Sequence, residues 1–366
     1  MYFIILIFTR IIFGLPGFLF MVKRYNKTYK TNSPLRYTAG EHRIGGFIMA
    51  LAAVKRPPAG NGRTINKRRQ TGIRYFLLIL PFLVLVAIFS YYPLYGWVYS
   101  FFNYRPPIKL SDSEFVGLKW FASLVETDVK RRQLLGVLRN TFAMSGLTIL
   151  TSWLPMAFAI FLTEIRSKWF KKSVQTLTTL PNFVSWVLVY SMAFALFSSS
   201  GMMNTLLTKL GLVSQPIQFL QSDSHTWLSM WLWSTWKSLG WSAIMYLAAI
   251  AGISDDLYEA ARVDGAGRFR LIWNITIPQL IPTFFVLLML NAANFLNNGL
   301  DQYFVFSNAF NMEHIQVLDL YVYNLGMGSG SYSLATAISM LKSLVSVTLL
   351  AAINGLSRVM RGESII

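Results

Sequence analysis

The sequence predicts an all-α polytopic membrane protein, and three observations carry that prediction. Hydrophobic residues make up 54% of the 366 residues and charged residues only 13%, with a mean hydropathy of +0.46, a balance foreign to water-soluble folds of this length. Six apolar runs reach the roughly 20 residues that a helix needs to cross about 30 Å of hydrocarbon with every backbone group paired. Lys and Arg concentrate in alternate connecting segments, as they do on the cytosolic side of membrane proteins. The formal charge of +18 therefore reads as membrane orientation and lipid headgroup contact, and no nucleic-acid surface is expected.

Residues 1–22, "MYFIILIFTRIIFGLPGFLFMV", are long enough to span but carry Arg10 near the centre and Gly14, Pro16 and Gly17 beyond it. They lack the basic start and small-residue cleavage site of a signal peptide. One extra N-terminal crossing, an interfacial segment, and a start placed too far upstream of Met21 or Met49 all fit this composition. Residues 23–73 form a basic tail: thirteen Lys and Arg from Lys23 to Arg74 face the single acid Glu41, which places the tail in the cytosol. A transmembrane domain follows over 74–356, and 357–366 form a short cytosolic tail. The expected crossings are 75–102, 136–162, 174–197, 226–252, 280–300 and 334–354. Alternation from the basic tail puts Arg166, Lys168, Lys171 and Lys172 inside, then Arg262, Arg268 and Arg270, and finally Arg358 and Arg361. The segment 301–333 contains no Lys or Arg and falls outside. In the external segment 103–135, Lys130, Arg131 and Arg132 run against the pattern.

Between the fourth and fifth crossings, on the cytosolic side, lies the loop 253–279, which contains "EAARVDGAGRFRLIWNITIP". Its local signals predict two short helices and a turn. Ser254 can cap the first helix, and Asp255, Asp256 and Glu259 place negative charge where the helix dipole favours it. Gly265 can stop that helix in a left-handed conformation. The second helix is expected over about 266–274, ending before Pro278, which disfavours helix in the preceding residue. Ala260 and Ala261 keep one face shallow enough for a partner to approach. Composition alone would equally allow a plain surface hairpin.

The spacing of Glu259-Ala260-Ala261, Gly265, Ile275, Ile277 and Pro278 resembles the EAA loop of binding-protein-dependent ABC importer permeases, with Ile277 where that family usually has Leu. The resemblance extends from about Arg74 to the C-terminus. "YYPLYG" (91–96), "FVGLKWF" (115–121) and "RNT" (139–141) are similar to oligosaccharide permeases of the maltose-transporter F-subunit type. "TWKSLGWSAIMYLAAIAGI", "LYVYNLGMGSGSYSLATAISMLKS" and "NGLSRVMRGES" resemble the polysaccharide and complex-oligosaccharide subgroup, which includes alginate-importer subunits. The resemblance implies a six-helix permease core in a bacterial-type inner membrane. It also implies a coupling helix at Glu259, Ala260, Ala261, Asp264, Gly265, Ile275 and Pro278 that docks on a cytosolic ATPase. The implied partners are a second permease chain, different from this one, two ATPase subunits that hold ATP and Mg, and an extracytoplasmic solute-binding protein. No G-x-x-x-x-G-K-[ST] loop occurs, so this chain is expected to bind no cofactor and to catalyse nothing itself.

Inside the expected crossings the informative residues are those that hydrocarbon penalises. Lys237 and Lys342 lie well within spans; each could line a translocation pathway and suit an acidic, uronate-containing cargo, or could snorkel or pair with a carbonyl. Asn291, Asn294 and Asn298 recur on one expected face of the fifth helix, where amides could bind sugar hydroxyls or bridge helices. Trp227, Trp231, Trp233, Trp236 and Trp241 crowd the fourth crossing; such rings stack on sugars, and an interfacial belt also accounts for the outer ones. "GMGSG" (326–330) is expected to be a flexible external loop, and it lacks the G-x-S-x-G of a nucleophile elbow. The absence of Cys excludes disulfides and thiolate metal sites, and His42, His225 and His314 are too scattered to form a metal site. Two rivals from other classes remain. One is a membrane-bound polysaccharide-processing enzyme, for which Asp301, Glu313, His314 and Asp319 are the crowded candidates; the other is a passive channel. A permease for neutral oligosaccharides is the nearer alternative.

Overall fold

The computed structural model describes residues 63–361. The apolar segment 1–22, the two alternative starts and most of the basic tail lie outside the described residues, as do the last five residues. All regular elements among the described residues are helical, and one antiparallel bridge pairs Phe102 with Phe115. The chain divides into two compact units at Gly96 and Trp97.

In the first unit, α1 (Arg63–Val86) begins about ten residues earlier than the first crossing was expected to, so the end of the basic tail is helical. The helical run continues through a π turn at Ala87–Tyr91, closed by the Tyr92 N–H on the Ala87 carbonyl. Pro93 follows directly, where the i to i−4 ladder is already interrupted and its missing N–H costs least. Tyr75, Phe76, Leu78, Phe82 and Phe89 are exposed along this helix, as side chains facing hydrocarbon are.

The second unit holds α2 (Lys119–Glu126), α3 (Asp128–Leu150) and α4 (Leu154–Glu164), the last two separated by a turn at 151–153. The expected crossing over 174–197 is not one helix. Its residues form α5 (Lys168–Thr179), a 3-10 turn at Leu180–Phe183 containing Pro181, and α6 (Trp186–Phe197), with Ser167 and Ser185 capping the two helices. Pro181 cannot continue the hydrogen-bond ladder, so the chain breaks there and leaves carbonyls free. After α7 (Met202–Lys209), α8 (Thr226–Ala251) matches the expected fourth crossing. Its 26 residues extend about 39 Å at 1.5 Å each, enough to traverse a bilayer.

The fifth crossing also departs from expectation. α9 (Asp255–Val263) is followed by α10 (Arg268–Leu271), a π turn at Ile272–Thr276, and α11 (Ile277–Ala293), with no gap between the last three. The helix therefore does not end before Pro278. The Ile277 N–H reaches back five residues to the Ile272 carbonyl, and this widened turn accommodates the proline in the first turn of α11. The rod stops at Ala293, earlier than the expected end at residue 300.

The segment 301–333 is not a loop. It forms α12 (Asp301–Phe306), α13 (Met312–Ile315), α14 (Leu318–Tyr323) and a π turn at Asn324–Gly328 before α15 (Tyr332–Arg361). Tyr303, Phe306, Ile315, Val317 and Leu320 are buried with Met144, Val189, Ala193 and Met230 in one apolar cluster. The first three residues of "GMGSG" are accordingly helical, and Gly326 is buried. A second cluster joins Ala159 and Ile160 of α4 to Ala243 and Tyr246 of α8 and Leu280 of α11. Close by, a Cβ built on Gly240 would lie 2.3 Å from the Thr178 carbonyl oxygen, so only glycine lets α8 and α5 approach this closely.

Five stretches, 72–101, 128–164, 186–209, 268–293 and 332–355, are long and apolar enough to cross a membrane. The fourth expected crossing, α8, is long enough, but its five tryptophans, its serines and Lys237 lower its hydropathy.

Candidate functional site

The hairpin made by α9 and α10 sits at the C-terminal end of α8. Ser254 caps α9 by accepting from the Asp256 N–H at 3.3 Å. At the other end, Gly265 has φ +77°, and its N–H donates to the Arg262 carbonyl at 3.0 Å while the Ala266 N–H donates to that of Ala261 at 2.9 Å. This pair of bonds is a Schellman stop, which requires the left-handed residue. The Tyr258 hydroxyl meets Thr276 Oγ1 at 2.9 Å and ties α9 to the π turn. Of the residues singled out from sequence, Glu259, Ala260, Asp264, Gly265 and Pro278 are exposed, and Ala261 and Ile275 are partly buried. The sequence reading missed a further feature: Val263, Phe269 and Trp273 are 88%, 80% and 67% exposed around the same hairpin. Large apolar residues in an otherwise polar hairpin were the available signal, since exposed apolar groups that cluster mark contact surfaces.

In the membrane-crossing part, α3, α4, α8 and α11 enclose a cleft of about 390 Å³. Its walls carry Thr148, Thr151 and Ser152 from one side, Ser234, Ser238 and Ser242 at successive turns of α8, and Asn291 of α11. Trp231 and Trp241 also face it, and the Trp231 Nε1–H donates to Thr151 Oγ1 at 3.0 Å. Hydroxyls and an amide both donate and accept, which matches sugar hydroxyls, and indole faces match the apolar faces of pyranose rings. Trp227 and Trp233 instead pack on the core cluster that includes Phe306.

The three asparagines do not share a helix face, because α11 ends before two of them. Asn291 lines the cleft. Asn294 caps the helix, its Nδ2 donating to the Leu290 carbonyl at 2.9 Å. Asn298 lies in the non-helical stretch that follows, where its Nδ2 donates to Ser145 Oγ at 2.9 Å and its backbone N–H to Asp319 Oδ2 at 3.1 Å.

The two lysines also lie away from the cleft walls. Lys237 is 9% exposed; its Nζ donates to the carbonyls of Pro181 at 3.2 Å and Asn182 at 2.7 Å and sits 5.5 Å over the Trp186 ring. The break at Pro181 thus explains this buried amine, which occupies acceptors that the helix gave up. Lys342 pairs with Asp319, whose second oxygen accepts from the N–H groups of Asn298 and Gly299 at 3.1 Å each. Asp319 therefore fastens the end of the fifth crossing to α15. No group of His and acidic residues that could hold a metal occurs among the described residues.

Residues 156–357, which include the hairpin and most of the cleft, match the family described as "Binding-protein-dependent transport system inner membrane component". The chain is 35% identical over 286 residues to protein LplB of Bacillus subtilis (strain 168), covering 77% of this chain and 88% of that one. It is 36% identical over 292 residues to the polygalacturonan/rhamnogalacturonan transport system permease protein YteP of the same organism, covering 79% and 89%. Among solved structures, it matches a bacterial ABC transporter involved in the import of the acidic polysaccharide alginate with a TM-score of 0.71 at 30% identity, over 82% of this chain and 99% of the other. A bacterial alginate ABC transporter in complex with an alginate pentasaccharide-bound periplasmic protein matches with a TM-score of 0.72 at 29% identity, over 81% and 98%.

Proposed function

The chain belongs to the family of binding-protein-dependent transport system inner membrane components, and on that premise we propose that it is the permease subunit through which an ATP-driven importer passes acidic oligosaccharides. It is a multi-pass protein of the bacterial inner membrane. The observation that carries the proposal is the continuity of α10, the π turn and α11 from Arg268 to Ala293. One rod of 26 residues, about 39 Å long, joins an exposed cytosolic hairpin to the wall of the hydroxyl-lined cleft at Asn291. A displacement of the hairpin is then a displacement of that wall.

In this reading the hairpin docks on a separate cytosolic ATPase that holds ATP and Mg. Glu259 and Asp264 supply polar contacts, Ala260 and Ala261 allow close approach, and Gly265 makes the turn. Ile275 and Pro278 lie at the junction with the rod, and Val263, Phe269 and Trp273 supply buried area once docked. The chain itself is non-catalytic. A second permease, a second ATPase and an extracytoplasmic solute-binding protein complete the importer. The cargo assignment leans on the acidic polymers named for YteP and for the alginate importers, and the cleft is suited to the neutral part of such a chain, its rings and hydroxyls.

The test is purification of the tagged chain from native membranes with its companions, followed by ATPase assay. Stimulation of ATPase activity by a binding protein loaded with an oligouronate, and uptake of that sugar into vesicles, is the expected result. Stimulation only by neutral sugars would move the cargo to the neutral class. Flux through the chain in the absence of any ATPase would replace the importer with a channel.

A further inference from the structure

We infer that the external mouth of this permease carries its own carboxylate-binding site, built by Arg132 and Arg139 in the N-terminal half of α3, which engages an acidic sugar before it enters the uncharged cleft. The inference rests on the acidic-cargo reading and adds to it where the charge is recognised. Lys237 and Lys342, the intramembrane cations, are engaged by carbonyls and by Asp319, and neither lines the cleft. An anionic cargo must therefore meet its positive partner elsewhere.

The first five residues of α3 include Asp128, Lys130, Arg131 and Arg132, a run of charges that hydrocarbon penalises, so the start of α3 projects beyond the membrane. It does so at the end of α8 opposite the hairpin, because Trp227 in the first turn of α8 donates to the His314 carbonyl at 2.9 Å and Asn140 donates to the carbonyls of Glu313 at 2.8 Å and Gln316 at 3.2 Å. A cleft of about 450 Å³ opens there, lined by Arg132, Gln133, Gly136, Arg139, Asn140 and Glu313 among others. Arg132, Gly136, Arg139 and Asn140 recur with helical spacing on one face, and nothing lies within 4 Å of a Cβ built on Gly136, so the floor between the two guanidiniums is open.

The existing partners leave these groups available. Arg132 has no ion pair among the described residues, and Arg139 reaches Glu313 only at 4.0 Å, with the two side chains 47% and 73% exposed. Such an exposed contact contributes little and yields to a better carboxylate. Arg139 is held in place by its stacking 5.6 Å over the Trp227 ring, which orients the planar guanidinium without consuming its donors. Asn140 is 1% exposed, and its Nδ2 bonds to the carbonyls of Glu313 and Gln316 fix that end of the cleft beneath the two guanidiniums. Basic residues at this external position, which run against the usual charge distribution, then have a reason: they counter the charge of the cargo.

The absence of Cys from the chain permits a direct test in the assembled importer. With Gln133→Cys as the only thiol of this subunit, labelling by a small thiosulfonate reagent is followed in the presence of trigalacturonate or its neutral methyl ester. Labelling of an otherwise identical complex without the new thiol gives the background. The acid is expected to slow labelling and the ester to leave it unchanged. Arg132→Gln and Arg139→Gln should each weaken the protecting affinity by up to about fivefold, the range of an exposed ion pair, with the effect shrinking as salt is raised. Glu313→Gln should strengthen it. Equal protection by acid and ester, no protection at all, or protection by the unloaded binding protein alone would overturn the site, the last by making it a protein-docking surface. Uptake measured on the same preparation separates the two levels. Protection by trigalacturonate without uptake keeps the site and removes the cargo reading; uptake without protection keeps the cargo reading and removes the site.

Discussion

Replacing Gly265 isolates what the turn of the α9–α10 hairpin does. Its φ of +77° costs an ordinary L-residue about 1–2 kcal/mol, a factor of roughly 5–30 in the population of the turn. No atom lies within 4 Å of a Cβ built there, so within this chain the penalty is one of backbone conformation, not of space. The two bonds that depend on it, Gly265 N–H to the Arg262 carbonyl and Ala266 N–H to the Ala261 carbonyl, would weaken together. Asn tolerates the left-handed region, Ala less so, and a β-branched residue least. Cargo-stimulated ATPase activity and uptake by the assembled importer should therefore fall in the order Gly, Asn, Ala, Val, with uncoupled ATPase activity affected less than uptake. Full coupling in Gly265→Val would refute the argument that the hairpin transmits force. If Asn proved as damaging as Val, the turn would matter for the surface it offers the ATPase, and the conformational argument would fail.

Three further predictions follow from packing. Lys237→Met leaves the Asn182 carbonyl without the lysine donor and the Pro181 carbonyl with the Val184 N–H alone, at a cost of about 1–3 kcal/mol; the melting temperature of the purified complex should drop, and import of acidic and neutral sugars should fall alike. A selective loss of acidic import would show that the lysine touches cargo after all. Gly240→Ala forces a methyl to within 2.3 Å of the Thr178 carbonyl oxygen and should destabilise by about 1–3 kcal/mol, whereas Gly136→Ala, with open space around it, should leave the melting temperature unchanged or raised; thermal scans of the two variants side by side decide this. Phe269→Ser combined with Trp273→Ser should abolish co-purification of the ATPase while leaving the yield of the permease intact, because truncating a well-packed aromatic anchor costs about 2 kcal/mol or more. An undiminished ATPase yield would place the docking surface elsewhere.

The features legible in sequence are those set within a few residues along the chain. α8 appears where its apolar length put it, and the Ser254 cap and the Gly265 stop form as their side-chain chemistry requires, because each is completed by atoms no more than five positions away. Pro278 shows the limit of that logic: a proline expected to end a helix is carried inside a continuous rod by a π turn, and the residues flanking it, Ile272, Ile277 and Leu280, pack into the cluster with α4 and α8. The segment 301–333 shows another, since its lack of Lys and Arg was read as external exposure and also reflects burial of Phe306, Ile315 and Leu320.

For the candidate site the division is sharper. That Lys237, Lys342 and Asn298 were noteworthy could be read from the penalty hydrocarbon places on them. What each one does was decided by partners 55, 23 and 153 residues away: the carbonyls released at Pro181, the carboxylate of Asp319 and the hydroxyl of Ser145. The sequence by itself determined that this chain crosses a membrane, since hydropathy acts locally, and its charge bias and turn chemistry set the expectation of a cytosolic face and of a partner-binding loop on it. Only the tertiary structure decided which polar groups neutralise one another and which stay open to cargo, because a hydrogen bond made in a low-dielectric interior depends on where distant segments are brought together.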